Sequence, residues 1–169
     1  HLEGFYYKPR ADKDLLREFS EGLIALSGCL SGEVNRLLLH GRYEDAKKIA
    51  LEYREIFGED NFFLEIGHHP NIPEVVKIKN DILRLSRETG IPLVATQDIH
   101  YTKPEDAEYH DILLAVQTGN RTTDDDRLTL KADNFSMTPP EEMIEKFKDL
   151  PEAIENTQKI AERCSVELE

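Results

Sequence analysis

Cysteine, histidine and acidic residues occur at three places in this chain where short apolar runs end. The residues are, in chain order, Cys29, Glu65, His68, His69, Asp98 and His100. Thiolate, imidazole and carboxylate groups are the ligands that zinc, manganese and iron accept in proteins. The pattern therefore predicts a metal site, although its residues are spread over about 70 positions of sequence.

The elements around these residues are the ones that could bring them together. Helical periodicity alternates with short apolar runs, which is typical of a parallel α/β sheet. Strands are predicted over 22–27, 61–66 and 91–96, and helices over 12–19, 31–40, 43–57, 72–89 and 104–119. A long polar loop is expected over 120–134, with further helices beginning at the prolines 139–140 and at Pro151. The carboxyl ends of parallel strands lie on one side of a sheet, so the six residues are expected to converge there.

Each of these residues also has an ordinary structural interpretation. Cys29 follows a buried strand and lies between two glycines, Gly28 and Gly32, where a small packed thiol is common. Two histidines in a loop are usually polar surface residues, and a glutamate at a strand end such as Glu65 often caps the loop that follows it. Asp98 and His100 are separated by one residue, which places both side chains on the same side of an extended segment. They could share one ion, but a structural hydrogen bond between them would give the same pattern.

Composition restricts the classes of function. The chain has 169 residues and a mass of 19.4 kDa, which fits one domain with a hydrophobic core. Its net charge of −13 argues against strong non-specific binding of nucleic-acid phosphates by this segment alone. No apolar run is long enough for a membrane helix, so no membrane association is expected.

The chain has two cysteines, Cys29 and Cys164, which are too few for a disulfide framework and therefore favour the cytoplasm. Cys164 is expected in the core, because it lies on the apolar stripe of the last helix. The chain begins at His1 with both methionines late, and we expect it to be a fragment.

Several long phrases resemble a known family. They are residues 3–10 (EGFYYKPR), 21–33 (EGLIALSGCLSGE), 61–65 (NFFLE) and 92–101 (PLVATQDIHY). In this order and spacing they resemble the later part of the polymerase-and-histidinol-phosphatase (PHP) domain in the bacterial replicative DNA polymerase III alpha subunits. The resemblance extends through shorter matches to residues 140–143, so it covers the chain from end to end.

The resemblance implies an α/β fold: a fragment of a distorted (β/α)7 PHP barrel with parallel strands and surrounding helices. Residues 1–119 would form the C-terminal part of the barrel, and residues 120–169 its last part and the connection towards the polymerase palm. Metal ligands would be Cys29, Asp98 and His100, with Glu65, His68 and His69 as further candidates. The family often has an Asp-His pair where this chain has residues 67–70 (GHHP), and its first metal-binding histidines would precede residue 1.

The resemblance also implies a function for the longer parent protein. The parent would be a DNA-directed DNA polymerase that uses Mg²⁺, DNA, deoxynucleoside triphosphates and other replicase subunits. The PHP domain would bind a divalent metal, Zn²⁺ or Mn²⁺, in either a 3′–5′ exonuclease or a structural role. No catalytic residue for polymerisation is expected in this segment, which alone is predicted to be inactive. Two alternatives remain: a stand-alone metal-dependent phosphoesterase and a metal-free structural scaffold.

Overall fold

Helices and short strands alternate along the chain, as the sequence pattern predicts. The computed structural model describes residues 4–167. Its strands are β1 Phe5–Tyr6, β2 Lys8–Pro9, β3 Ala25–Leu26, β4 Phe62–Gly67 and β5 Leu93–Thr96. Its helices are α1 Lys13–Glu18, α2 Glu33–Leu39, α3 Tyr43–Phe57, α4 Pro73–Thr89, α5 Ala107–Thr118, α6 Pro140–Lys146 and α7 Pro151–Arg163. A 3₁₀ turn at Pro104–Asp106 leads into α5.

Strands β3, β4 and β5 form a parallel sheet in that order, so the predicted mixed α/β class with a parallel sheet is confirmed. β1 and β2 form a separate antiparallel pair. The first predicted strand of the parallel sheet is shorter than expected because its beginning is a turn. Gly22 has a φ of +77°, and the amide of Leu23 donates to the carbonyl of Ser20. Pairing with β4 therefore starts only at Ala25.

The hydrophobic core lies between the sheet and helices α2, α3 and α4, and Met143, Phe147 and Ala153 from α6, its end and α7 belong to the same cluster. Four residues of β4, Phe62, Phe63, Leu64 and Ile66, are buried, as expected for a central strand covered on both faces. Helix α4 begins with a proline in its first turn and ends at Gly90 in the left-handed conformation. These local signals explain why its limits agree with the sequence prediction to within one residue.

Helix α7 covers the outer edge of β5. The buried side chain of Asn156 donates a 2.7 Å hydrogen bond to the carbonyl of Leu93, which occupies an acceptor on that strand. Ala153 on the same helix is fully buried, but Cys164 at its end is exposed. The prediction that Cys164 belongs to the core is wrong, because the helix ends at Arg163 and Cys164 follows it as an exposed capping residue outside the helical stripe.

The predicted polar loop over 120–134 contains no regular helix or strand and is tied to the fold by side chains. The carboxylate of Asp111, buried in α5, accepts two 2.7 Å hydrogen bonds from Arg127 and one of 2.9 Å from Thr129. Further along, the side-chain amide of Gln97 both donates to and accepts from the backbone of Thr138. The segment after the loop is thereby fixed beside the chain that leaves β5.

Candidate metal centre at the carboxyl ends of the strands

One cavity of about 350 Å³ lies at the carboxyl ends of the three parallel strands. Four of the six residues that the sequence singles out line it: Cys29, Glu65, His69 and Asp98. The expected convergence of the strand ends is therefore observed for these four. Their role as metal ligands remains a prediction, and so does that of the other two.

Cys29 lies in a tight turn between β3 and α2. Gly28 has a φ of +78°, which an L-residue with a side chain adopts only with strain. A Cβ atom on Gly32 would collide with the carbonyl oxygen of Ser27. The two glycines therefore let the chain fold back closely, and the exposed thiol of Cys29 lies 3.3 Å from the hydroxyl of Ser31.

Glu65 is held from both neighbouring strands. Its carboxylate accepts a 2.8 Å hydrogen bond from the hydroxyl of Thr96, which ends β5. Its backbone amide donates to the hydroxyl of Ser27, just after β3. The second oxygen of this half-buried carboxylate can bind a metal ion or accept a hydrogen bond from a ligand in the cavity.

The two adjacent histidines have different environments. His69 is only 6% exposed, and neither of its ring nitrogens has a hydrogen-bond partner among the described residues. Burial lowers the pKa of His69 and thereby favours the neutral imidazole, the form that can bind a metal ion. His68 does not line the cavity; its ring lies edge-on to Phe147 with 6.1 Å between centroids, and burial lowers its pKa too.

Asp98 and His100 contact each other at the end of the third strand. A carboxylate oxygen of Asp98 lies 3.2 Å from Nε2 of His100, and both side chains are partly exposed. The expectation of an extended segment here is wrong, because Asp98 has a φ of +50°. A left-handed non-glycine residue is uncommon outside turns and functional sites. The two side chains meet because of this left-handed residue rather than by strand alternation.

Sequence reasoning missed Phe135, which packs against two of the three candidate histidines. Its ring stacks on His69 with 4.5 Å between centroids and lies edge-on to His100 at 5.6 Å. Its carbonyl accepts a 2.9 Å hydrogen bond from the amide of His100. The available signal was slight: Phe135 is the single Phe, Tyr or Trp between Tyr109 and Phe147.

The donor types fit a divalent transition metal, since thiol, imidazole and carboxylate are all present around one cavity. A buried imidazole without a partner is costly in a native fold, and coordination would satisfy it. Across residues 4–167, however, no three His, Cys, Asp or Glu side chains are already close enough to hold an ion together. Binding through three of them would require side-chain adjustment within the cavity.

Comparison with known proteins identifies the class first. Residues 1–69 match the family described as the PHP domain, so the resemblance that the sequence phrases predicted is confirmed. More particularly, the whole chain is homologous to a segment of DNA polymerase III alpha subunits.

Three relatives illustrate the range of similarity. The subunit of Borreliella burgdorferi is 46% identical over 164 residues, 97% of this chain and 14% of that protein. That of Helicobacter pylori (strain 26695) is 45% identical over 179 residues, covering all of this chain and 15% of the relative. That of Treponema pallidum is 43% identical over 168 residues, 99% of this chain and 14% of the relative. The chain thus spans only about one seventh of the length of these relatives.

Within the described region, no helix has the length and apolar character needed to cross a membrane.

Proposed function

We propose that this chain is part of the PHP domain of a bacterial replicative DNA-directed DNA polymerase. The relatives at 43–46% identity are all DNA polymerase III alpha subunits, and the alignment covers almost the whole chain. In this proposal residues 1–119 belong to a distorted (β/α)7 barrel, to which β3, β4 and β5 contribute three parallel strands. Residues 120–169 complete the domain and lead towards the polymerase palm.

We further propose that the cavity at the strand ends binds a divalent metal, Zn²⁺ or Mn²⁺. The observation that carries this proposal is the buried imidazole of His69. It lines the same cavity as Cys29, Glu65 and Asp98, and its ring nitrogens have no hydrogen-bond partner within residues 4–167. His100 would join through its contact with Asp98. Imidazole and thiolate ligands favour Zn²⁺, whereas a larger share of carboxylates favours Mn²⁺. His68 is the least suited candidate because its ring packs edge-on against Phe147 and does not line the cavity.

The chemistry of such a site follows from what each residue can do. A bound metal would lower the pKa of a water molecule and stabilise negative charge at a phosphodiester, as 3′–5′ exonuclease activity requires. Cys29, His69, Asp98 and His100 would bind the ion, and Glu65 would accept a proton or a hydrogen bond from a ligand at its second carboxylate oxygen. Thr96 orients that carboxylate, and the ring of Phe135 excludes water from one face of His69. Where the remaining ligands are lacking, the same ion would have a structural role instead.

In the parent polymerase, nucleotide addition would be carried out elsewhere. We propose that Mg²⁺, DNA and deoxynucleoside triphosphates bind outside this segment, which has no catalytic role in polymerisation and is inactive alone. The strong negative charge of the segment supports this division, because it opposes direct contact with a phosphate backbone. A protein surface of another replicase subunit is a more suitable neighbour for it.

Elemental analysis of the purified chain tests the metal proposal. The variants Cys29→Ser and His100→Ala should each bind less metal than the unaltered chain at the same free concentration. Cys164→Ser is the matched control for the first, because both cysteines are free and exposed. His40→Ala is the control for the second, because His40 lies exposed at the end of α2, away from the cavity.

Equal metal content in all five proteins would contradict the assignment of these ligands. Absence of metal from the unaltered chain, and also from a longer chain that restores the upstream residues of the relatives, would favour the metal-free scaffold. The lack of a preformed three-ligand cluster among the described residues is the observation that keeps this second candidate open.

A further inference from the structure

The position of Cys29 depends on its backbone more than on its side chain. The thiol is exposed, and its hydrogen bond is to the hydroxyl of Ser31, which is itself exposed. Exposed side-chain contacts of this kind do not fix a geometry by themselves, because both groups can rotate into water. A metal ligand, in contrast, must be held in a productive direction by the groups around it.

Asn35 supplies such a constraint from inside the protein. It lies in the first turn of α2 and is 4% exposed. Its side-chain amide nitrogen donates to the carbonyl of Gly28 at 2.9 Å and to the carbonyl of Cys29 at 3.1 Å. The carbonyl of Cys29 also accepts a 2.8 Å hydrogen bond from the amide of Gly32.

These two carbonyls belong to the peptide groups on either side of the Cys29 α-carbon. Each peptide group is planar, so fixing both carbonyl directions fixes the φ and ψ of Cys29 and the direction of its Cβ atom. Gly28 gives the turn its left-handed shape, but a glycine imposes no preference for that shape over others. The turn therefore needs a donor from outside it, and Asn35 is buried where it can act as one.

We propose that Asn35 is a positioning residue that directs the thiol of Cys29 into the strand-end cavity. This inference rests on the proposed metal binding. The amide is suited to the task because its nitrogen carries two hydrogens, one for each carbonyl. Its oxygen is buried without a partner among the described residues, so the two hydrogen bonds of the nitrogen are what the side chain contributes. An aspartate has the same shape but would place a carboxylate against two carbonyl oxygens.

The experiment uses Co²⁺ as a probe in the 169-residue chain, because cobalt bound to a thiolate gives a charge-transfer absorption that cobalt bound to nitrogen and oxygen lacks. We compare Asn35→Asp and Asn35→Ala with the unaltered chain. Asn80→Asp on the exposed side of α4 is the control for the first substitution. Cys29→Ser defines the spectrum without the thiolate, and far-ultraviolet circular dichroism reports whether each variant is folded.

We expect both folded Asn35 variants to lose the thiolate absorption. They should also bind Co²⁺ about 10- to 100-fold more weakly, which is the usual effect of removing a group that orients a metal ligand. Asn80→Asp should keep both the thiolate absorption and the affinity for Co²⁺.

An unchanged thiolate band in either folded Asn35 variant would overturn the inference and leave the proposed metal site standing. No thiolate band in the unaltered chain would instead overturn the role of Cys29 as a ligand, and the inference with it. If neither Asn35 variant folds, Asn35 is required for folding rather than for positioning, and the inference is wrong.

Discussion

Phe135 offers the sharpest test of how the cavity is built. Its ring is 2% exposed and contacts the rings of His69 and His100. Replacement of Phe135 by Leu keeps a branched apolar side chain but removes both ring–ring contacts. Aromatic pairs contribute about 0.5–1.5 kcal/mol each beyond the area they bury, so loss of two pairs predicts a decrease of about 1–3 kcal/mol in the free energy of unfolding.

Phe135→Ala should be more damaging because it also leaves a cavity. Truncation of a buried phenylalanine usually costs about 3–5 kcal/mol, which is a large part of the 5–15 kcal/mol typical of a domain. Urea unfolding followed by circular dichroism measures both variants. With a denaturant dependence of about 2 kcal/mol per molar, Phe135→Leu should lower the midpoint by roughly 0.5–1.5 M.

Phe19→Leu is the matched control for this series. Phe19 follows α1 and is 60% exposed, so its replacement should change the free energy of unfolding by less than about 0.5 kcal/mol. If Phe135→Leu and Phe19→Leu lowered the midpoint equally, the contacts of Phe135 with the two histidines would contribute nothing, and our description of the cavity wall would be refuted.

Two further predictions concern buried polar contacts. Hydrogen bonds from Arg127 hold the pKa of Asp111 in the folded protein well below its usual range. The pair therefore stabilises the fold fully at pH values above about 3.9, the pKa of an aspartate in the unfolded chain. This stabilisation is lost as the pH falls from there towards the lower pKa of the folded state. Urea unfolding should therefore show a larger difference between the unaltered chain and Asp111→Asn at pH 7 than at pH 3; equal differences would contradict this linkage. Asn156→Ala removes the hydrogen bond to the carbonyl of Leu93 and should cost about 1–3 kcal/mol, whereas the exposed Asn80→Ala should cost less than about 0.5 kcal/mol. Thermal unfolding compares them, and equal melting temperatures for the two variants would argue against the edge contact.

Local sequence signals gave accurate limits for several elements. Helix α3 extends over Tyr43–Phe57 as predicted, and α4 differs by one residue at its start. Helix periodicity, a proline in the first turn and a glycine after the last turn act within a few residues, so the chain nearby contains the information needed. The start of β3 was not accurate, because the turn at Gly22 involves a hydrogen bond to Ser20 that the apolar pattern conceals.

The candidate site was only partly accessible to such reasoning. The rule that parallel strands end on one side of a sheet correctly brought Cys29, Glu65 and Asp98 to one cavity. It did not distinguish His69 from His68, although strand alternation from Glu65 would have favoured His69. The end of β4 at Gly67 made that extrapolation uncertain, since alternation need not continue past a strand.

The sequence by itself determined the residue types, the helix and strand order, and the family to which the chain is related. These depend on covalent order, on side-chain periodicity and on hydrogen bonds between near neighbours. Tertiary structure alone decided that Phe135 lies between two histidines, that Asn35 holds the turn of Cys29 and that Cys164 is exposed. Those outcomes depend on packing between segments up to about 70 residues apart, and the free energy of a contact is fixed only when both partners are in place.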